Sequence, residues 1–153
     1  MKVLVALDGS DDSKAVVEEV LHRTWPEGTE IEVLSVAHAI PAIPDPAFVG
    51  LAGHLESLDH ERKIAHHVVE SATTRIEFEL GSKVKVHGEI LEGGPTKRIL
   101  EEAERWGADL ILLGSHGRGR LARLVMGSVS HAVVLHAHCS VEVVRAPRKA
   151  SAA

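Results

Sequence analysis

The residues best suited to chemistry in this sequence form two glycine-containing clusters in its last third. They are Gly114-Ser115-His116-Gly117-Arg118-Gly119-Arg120 and Gly127-Ser128-Val129-Ser130. The first cluster follows an uninterrupted apolar run, and the second opens a segment with helical spacing, so a glycine-rich loop leads from a buried strand onto a helix N-terminus. The N–H groups at such a helix end bind anions, because they lack intrahelical partners and carry the positive end of the helix dipole.

Charge in the same part of the chain favours an anionic ligand. No Asp or Glu occurs between Leu110 and Val141, whereas Arg118, Arg120 and Arg123 do. The whole chain is acidic, with a formal net charge of -5 from 17 basic and 22 acidic residues. The net acidic charge argues against nucleic acid or a membrane as the partner, whereas the local basic segment predicts a phosphate site.

Small side chains support this interpretation. Glycines let the main chain adopt positive φ and approach a ligand closely, and Ser128 and Ser130 offer hydroxyl donors. His116 lies inside the loop, where it could contact a phosphate or only fill the turn. The plain alternative for the whole segment is a turn, a helix cap at Gly127 and solvated arginines, but the combination of features favours the phosphate site.

The spacing of the glycines narrows the type of site. Gly114-x2-Gly117-x9-Gly127-Ser128 has no Lys before the helix-opening Ser, so it is not a P-loop, and it does not follow the first strand as a dinucleotide fingerprint would. It matches the pattern G-x2-G-x9-G-[S/T] and thereby resembles the nucleotide-binding branch of the universal stress protein family. Residues 3–10 and 139–145 are similar to that family's opening strand with its Asp turn and to its last strand, so the resemblance covers nearly the whole chain.

This resemblance implies a nucleotide site for ATP. The residues that it places around the phosphates and ribose are Gly114, Gly117, Gly127, Ser128 and Ser130. The remaining members of the predicted nucleotide-binding set are His116, Arg118 and Val129. Asp8 resembles the family's acidic residue near the sugar and the phosphate-bound metal, and Val36 resembles the position whose backbone meets adenine.

Asp8 has a second interpretation from the residues alone. Asp8-Gly9-Ser10 after a strand is ordinary turn chemistry, so the carboxylate could instead cap the next helix. A carboxylate close to phosphate needs a cation between them, which makes Mg²⁺ or Mn²⁺ bound with ATP a reasonable expectation. The 11 histidines include the pair His66-His67, but neighbouring helical residues point in different directions, so we expect surface histidines there instead of metal ligands.

Apolar patterns predict the elements that position these residues. Strands are expected over 3–7, 31–37, 84–91, 110–113 and 141–145. Helices are expected over 13–25, 56–80, from Pro95 to just before Gly107, and over 128–136. The first strand is an uninterrupted apolar run, as in a strand covered on both faces, and the fourth is also fully apolar, whereas alternation in the third predicts an edge strand with one wetter face. Asp11 or Asp12 is the predicted cap of the first helix.

Strands that alternate with helices predict an α/β fold: a single open, doubly wound five-stranded parallel sheet with helices on both faces. The resemblance implies strand order 3-2-1-4-5, which brings the ends of strands one and four together at the switch point where ligands bind. One domain is expected over 1–146, with a disordered tail over 147–153. Residues 39–53 contain three prolines and are predicted to form a loop or lid.

Composition excludes several classes of function. Phe and Trp number 2 each and Tyr is absent, which argues against a stacking surface for single-stranded nucleic acid. The apolar run over 3–7 is too short for a signal peptide, so we expect none, and no apolar run is long enough to span a membrane. The single Cys139 fits a reducing compartment, so we expect a cytoplasmic protein.

Three functions stay open from the sequence. The first is an ATP-binding regulatory protein of the stress response, which switches a partner whose identity is unknown. The second is a slow, metal-dependent ATP hydrolase, and the third is a nucleotide-free interaction module. The resemblance also implies a homodimer through the last strand, although Ser140 replaces the usual Pro and Glu142 could guard that edge against pairing.

Overall fold

The structure is a computed structural model that describes residues 1–38, 50–118 and 126–147. Its strands are β1 (Lys2–Ala6), β2 (Thr29–Ala37), β3 (Val84–Glu92), β4 (Leu110–Gly114) and β5 (Ser140–Val144). Its helices are α1 (Asp11–His22), α2 (Gly50–Leu80), α3 (Pro95–Trp106) and α4 (Ser128–His136), with a short 3₁₀ turn at Gly81–Lys83. In the part of the chain that is described, no helix combines the length and apolarity needed to cross a membrane.

The strands form one parallel sheet in the order β3-β2-β1-β4-β5. This confirms the predicted α/β class and the order 3-2-1-4-5. β1 lies at the centre, with β2 on one side and β4 on the other. Because parallel strands end at the same edge of a sheet, the segments that follow β1 and β4 emerge side by side.

Hydrophobic cores lie on both faces of the sheet. In β1, Val3 and Val5 point into the core beneath α1 and α2, whereas Leu4 and Ala6 point into the core beneath α3 and α4. Val3, Leu4 and Val5 are all fully buried. The lack of alternation in this run is therefore explained, since a strand covered by helices on both faces has no polar side.

The edge position of β3 also agrees with the sequence. It pairs with β2 alone, and its register places Lys85 beside Glu30 and His87 beside Glu32. Lys85 and His87 are exposed while Val84 is buried, as the alternation predicts.

Two predictions at helix starts are wrong. The N-cap of α1 is Ser10, whose side chain accepts a hydrogen bond from the Ser13 N–H at 3.2 Å, and not Asp11 or Asp12. α2 begins at Gly50, so residues 50–53 are helical and do not belong to the predicted loop. The rest of that predicted loop, residues 39–49, lies outside the described residues.

Other boundaries shift by a few residues. α1 ends at His22 and not near Trp25, whose indole N–H donates back to the Val20 carbonyl. β5 spans Ser140–Val144, one position earlier than predicted. Gly107 follows α3, as the sequence predicted, and it adopts the left-handed conformation common at helix ends, with φ of 73°. Of the predicted tail, residues 148–153 lie outside the described part of the chain.

Candidate ligand-binding site

A cavity of about 420 Å³ opens where β1 and β4 end. This volume lies in the range of small-molecule and cofactor sites. The residues after β1, the second half of β2, the start of α3, the loop after β4 and the first turn of α4 all contribute to its wall. The cavity thus occupies the switch point at which the sheet order reverses, where the sequence predicted a site.

Every residue predicted for the site lines this one cavity. They are Asp8, Val36, Gly114, His116, Gly117, Arg118, Gly127, Ser128, Val129 and Ser130. Gly119, Arg120 and Arg123 lie outside the described residues. The structure therefore brings the predicted set together, while the ligand contact of each member stays a prediction.

The cavity has an apolar end and a polar end. Side chains of the apolar end come from β2, α3 and β4, and include Leu34, Val36, Ile99 and Leu113. The polar end contains Asp8, His116, Arg118 and Ser128, and it includes the first turn of α4. Such a cavity can hold a ligand that joins a flat apolar group to an anionic group.

The first turn of α4 is suited to an anion. Its N-cap is Gly127, which has no side chain that could accept from the free N–H groups of the helix. The first turn carries no acidic residue. Ser128 at the helix start is exposed. Because the N–H groups of a first turn lack intrahelical partners, they are available to a phosphate or carboxylate.

Ser130 ties the two glycine clusters together. It is only 2% exposed, and its hydroxyl lies 2.9 Å from the Ser115 carbonyl and 3.0 Å from the Gly127 carbonyl. The Gly127 N–H also donates to the Ser115 carbonyl at 2.7 Å. A hydroxyl has one proton to donate, so Ser130 would contact a phosphate only by giving up these bonds.

The motif glycines serve close approach and not unusual backbone angles. None of Gly114, Gly117 and Gly127 has positive φ, so that part of the sequence interpretation is wrong. A Cβ added at Gly114 would lie 2.8 Å from the Asp12 Cβ, and one at Gly127 would lie 3.1 Å from the Ser115 carbonyl oxygen. These glycines allow protein segments to approach one another, and their contacts fix the shape of the loop.

Asp8 makes contacts within its own turn and to the glycine loop, while its predicted place near a sugar or metal stays a prediction. Its Oδ1 accepts from the Ser10 N–H at 3.0 Å and from the Ser13 hydroxyl at 2.6 Å, which is local turn chemistry. Its Oδ2 accepts from the Arg118 N–H at 2.9 Å, which ties it to the glycine loop. The carboxylate is therefore held at the cavity wall by both segments.

Asp12 organises the loop beside the cavity, a role that the sequence did not indicate. Its Oδ2 accepts from the Ser115 hydroxyl at 2.6 Å and the His116 N–H at 2.9 Å, and its Oδ1 accepts from the Ala146 N–H at 2.9 Å. Burial alone would raise the pKa of Asp12, but these hydrogen bonds and the nearby His116 ring outweigh it, so the pKa is lowered. Asp12 thus joins α1, the glycine loop and the segment after β5.

The His116 side chain is held on the loop. Its Nδ1 lies 2.8 Å from the Ser115 hydroxyl and 3.5 Å from Asp12 Oδ2, and its side chain is 20% exposed. The carbonyl of His116 accepts from the Ser10 hydroxyl at 3.3 Å. His116 is thus held within the turn and also lines the cavity, while its contact with a phosphate stays a prediction.

Arg118 has a partner that the sequence did not indicate. Its guanidinium donates to the two carboxylate oxygens of Glu61, at 3.1 Å and 2.5 Å. Glu61 belongs to α2 and its side chain is 17% exposed. The bond to Glu61 raises the pKa of Arg118, and the pair connects the glycine loop to α2.

The described residues offer a metal ion few ligands at the cavity. Among residues 1–38, 50–118 and 126–147, no group of three His, Cys, Asp or Glu side chains is arranged to hold a metal ion. Asp8 is the only carboxylate among the described residues that line the cavity. A cation here would need most of its ligands from the bound molecule and from water.

Fold and site together define an open, doubly wound α/β protein with its candidate site at the switch point of the sheet. Residues 1–145 match the model of the universal stress protein family, and the chain belongs to that family. It is 32% identical over 148 residues to Universal stress protein MJ0531 of Methanocaldococcus jannaschii, which covers 97% of this chain and 84% of that protein.

Solved structures of the family share the fold. Universal stress protein UspA from Lactobacillus plantarum superposes with a TM-score of 0.76 at 27% identity, covering 95% of this chain and 97% of that one. A family member from Arabidopsis thaliana, solved with AMP bound, gives a TM-score of 0.68 at 24% identity and covers 98% of this chain and 93% of its own. At that identity the second likeness establishes the fold.

Proposed function

We propose that this chain binds an adenine nucleotide, with ATP as the preferred one, in the cavity at the ends of β1 and β4. We further propose that it acts in the stress response as a nucleotide-dependent regulatory protein. The observation that carries this function is the joining, in one cavity, of an apolar pocket and the N-terminus of α4. The motif from Gly114 to Ser128 ends at the N-terminus of α4.

The apolar end would receive the base. Leu34 and Val36 come from β2, Ile99 from α3 and Leu113 from β4, so the pocket is built on regular elements. Apolar walls favour a flat aromatic base because its faces are poorly hydrated, and nearby main-chain groups can recognise its polar edge. Val36 is half-buried, lies one residue before the end of β2 and lines the cavity, so its main chain would meet the edge of the base.

The polar end would receive the phosphates. The first turn of α4 offers N–H groups and the positive end of the helix dipole, and Ser128 adds an exposed hydroxyl. The network of Ser130, Asp12 and Asp8 holds this end in place. A preorganised site of this kind binds more tightly, because less order must be created when the ligand arrives.

Asp8 would hold a divalent cation together with the phosphates. Its Oδ2 lies at the cavity wall and accepts one hydrogen bond, from Arg118, and a carboxylate oxygen can accept more than one partner. Mg²⁺ in nucleotide sites takes one or two protein carboxylates and completes its shell with phosphate oxygens and water. Bound there, the cation would neutralise the charge of the phosphate chain.

We also propose a homodimer that pairs β5 with its partner's β5. β5 is an edge strand of the sheet. The sequence raised Glu142 as an obstacle to such pairing, but the Arg23 guanidinium binds this carboxylate at 2.7 Å and 2.8 Å. Its charge is therefore compensated within the chain, and Val134 and Leu135 on the neighbouring α4 are exposed.

The function is tested by calorimetric titration of Mg²⁺-ATP into the wild-type protein and Ser128→Glu. We expect the wild type to bind and the variant to bind at least about tenfold more weakly, because its carboxylate competes with phosphate at the start of α4. An acidic residue in a first helical turn does not destabilise the helix, so the melting temperature should not fall.

Ser82→Glu provides the matched control. Ser82 is exposed in the 3₁₀ turn before β3 and does not line the cavity. The substitution therefore adds the same negative charge away from the site. We expect its ATP affinity to equal that of the wild type. Equal affinities for all three proteins, or no binding to the wild type, would show that the start of α4 is not a phosphate site.

A further inference from the structure

We infer that Glu61 sets how many phosphates the site prefers, because its carboxylate occupies the guanidinium that a terminal phosphate would otherwise take. This inference rests on the proposed function. It concerns a residue of α2 that lies outside the glycine motif and does not line the cavity.

The geometry of the pair supports competition with phosphate. Arg118 presents two N–H groups to two oxygens of Glu61, at 3.1 Å and 2.5 Å. Carboxylate and phosphate are the two anions that match the planar fork of arginine in this way. A phosphate group that reaches the Arg118 guanidinium must therefore share it with Glu61 or replace Glu61.

Arg118 can exchange partners without rearrangement of the loop. Its main-chain N–H is fixed by Asp8 Oδ2 at 2.9 Å, whereas its side chain is 39% exposed. The backbone of the residue is thus anchored at the cavity wall while its side chain keeps access to solvent. The exchange needs only rotation about side-chain bonds, and these are fast in partly exposed residues.

Neighbouring charges on α2 have other partners. Arg62 pairs with Glu92 of β3, and Lys63 pairs with Asp59 one turn earlier. In the described structure Glu61 pairs with Arg118 and with neither of these two cations. If a phosphate takes Arg118, the carboxylate of Glu61 loses this pairing and must turn to solvent.

Phosphate number then decides the outcome. The first turn of α4 and Arg118 line the same cavity, so a single phosphate can be held at α4 without Arg118. A longer chain gains the guanidinium but must displace Glu61, which also repels the added charge. Glu61 therefore lowers the affinity for ATP more than that for AMP, and ATP binding releases the contact between the loop and α2.

The test is calorimetric titration of AMP, ADP and ATP, with Mg²⁺, into the wild type, Glu61→Gln and Arg118→Gln. We expect Glu61→Gln to raise the ATP affinity about three- to tenfold, as expected for the loss of a partly exposed competing ion pair, and to leave the AMP affinity within about twofold. Arg118→Gln should lower the ATP affinity towards that for AMP. ADP should show an intermediate effect in each variant.

Glu70→Gln is the matched control on the same helix. Glu70 is exposed on α2 and does not line the cavity. The substitution therefore removes one negative charge without freeing Arg118. Its affinities for all three nucleotides should match the wild type. Thermal melting of each variant confirms that the fold is retained.

The outcomes separate the two proposals. If the wild type binds none of the three nucleotides, the proposed function fails and this inference fails with it. If the nucleotides bind but Glu61→Gln changes the AMP and ATP affinities by the same factor, or lowers that for ATP, the role of Glu61 is overturned while the nucleotide site stands.

Discussion

Two carboxylates with little solvent exposure, one beside the candidate site and one within the sheet, behave in opposite ways. Asp12 lies near the ends of β1 and β4, beside the candidate site, and its side chain is 13% exposed. Glu32 lies in the first half of β2, on the side covered by α3, and its side chain is 3% exposed. Both groups have lost most of their water, so the comparison isolates what the protein supplies in its place.

Asp12 receives a full replacement for its lost water. A hydroxyl and two main-chain N–H groups donate to its two oxygens, at distances from 2.6 Å to 2.9 Å. These hydrogen bonds overcome the effect of burial and leave the pKa of Asp12 lowered. The residue is therefore a stable anion that can fasten the glycine loop across the whole neutral range.

Glu32 has fewer hydrogen-bond partners for its carboxylate. Its Oε2 lies 2.8 Å from His87 Nε2, but its Oε1 has no hydrogen-bond partner among the described residues. Burial raises the pKa of Glu32 to about 7, and the neighbouring carboxylate of Glu102 adds to the rise, while His87 opposes it. The supply of donors, and not burial alone, thus decides whether a buried carboxylate keeps its proton.

Removal of Asp12 should have the largest effect. Asp12→Ala leaves the Ser115 hydroxyl and two main-chain N–H groups without their acceptor, so we expect the free energy of unfolding to fall by about 3 kcal/mol. Urea denaturation at pH 7 measures it. Asp11→Ala is the control, because Asp11 is exposed and its bond to Lys14 is 3.4 Å long; we expect a loss below about 1 kcal/mol. Equal losses would show that Asp12 does not carry the loop.

Glu32→Gln should change the pH dependence of stability. The pKa of Glu32 is raised in the folded protein, so its contribution is fully present below about pH 4.5 and is lost as the pH rises through about 7. The wild type should thereby lose about 2 kcal/mol of unfolding free energy over this window. The variant keeps a neutral side chain that can accept from His87 and donate to Glu102, so its pH curve should be flatter.

The charged groups around Glu32 define what this experiment measures. His87 faces it from β3, Glu102 and Arg105 belong to α3, and Lys2 of β1 donates to the Trp106 carbonyl nearby. Glu30→Gln is the matched control on the same strand, because Glu30 is only half-buried. Its curve should stay parallel to that of the wild type. A Glu32→Gln curve equally parallel to the wild type would mean that Glu32 holds no proton near neutral pH.

Local patterns in the sequence were enough to predict the elements of the fold. The apolar run of β1 and the alternation of β3 each reflect how many faces of a strand are covered, and that information is carried by neighbouring residues. The cavity lining was also predictable, since the glycine motif and the tip of β1 meet wherever a parallel sheet of this order forms.

Long-range partners were not predictable in the same way. Asp12 reaches Ser115, 103 positions later, and Glu61 reaches from α2 to Arg118 in the glycine loop. Such pairs arise when separate elements pack, and no spacing along the chain indicates them. The prediction of Asp11 or Asp12 as the α1 cap failed for a related reason. Ser and Asp are both good caps, and tertiary contacts engage Asp12 elsewhere, so Ser10 caps the helix.

The smallest expected effect concerns one donor to Asp12. Ser115 is 5% exposed, and Ser115→Ala removes one of the hydrogen bonds to the carboxylate while the main-chain donors from His116 and Ala146 remain. We expect the free energy of unfolding to fall by about 1 kcal/mol, which is well below the loss in Asp12→Ala. Ser128→Ala, at an exposed position, should leave stability unchanged in the same urea titration. A Ser115→Ala loss as large as that of Asp12→Ala would mean that the hydroxyl, and not the carboxylate with its main-chain donors, holds the loop, and the contrast with Glu32 would lose its basis.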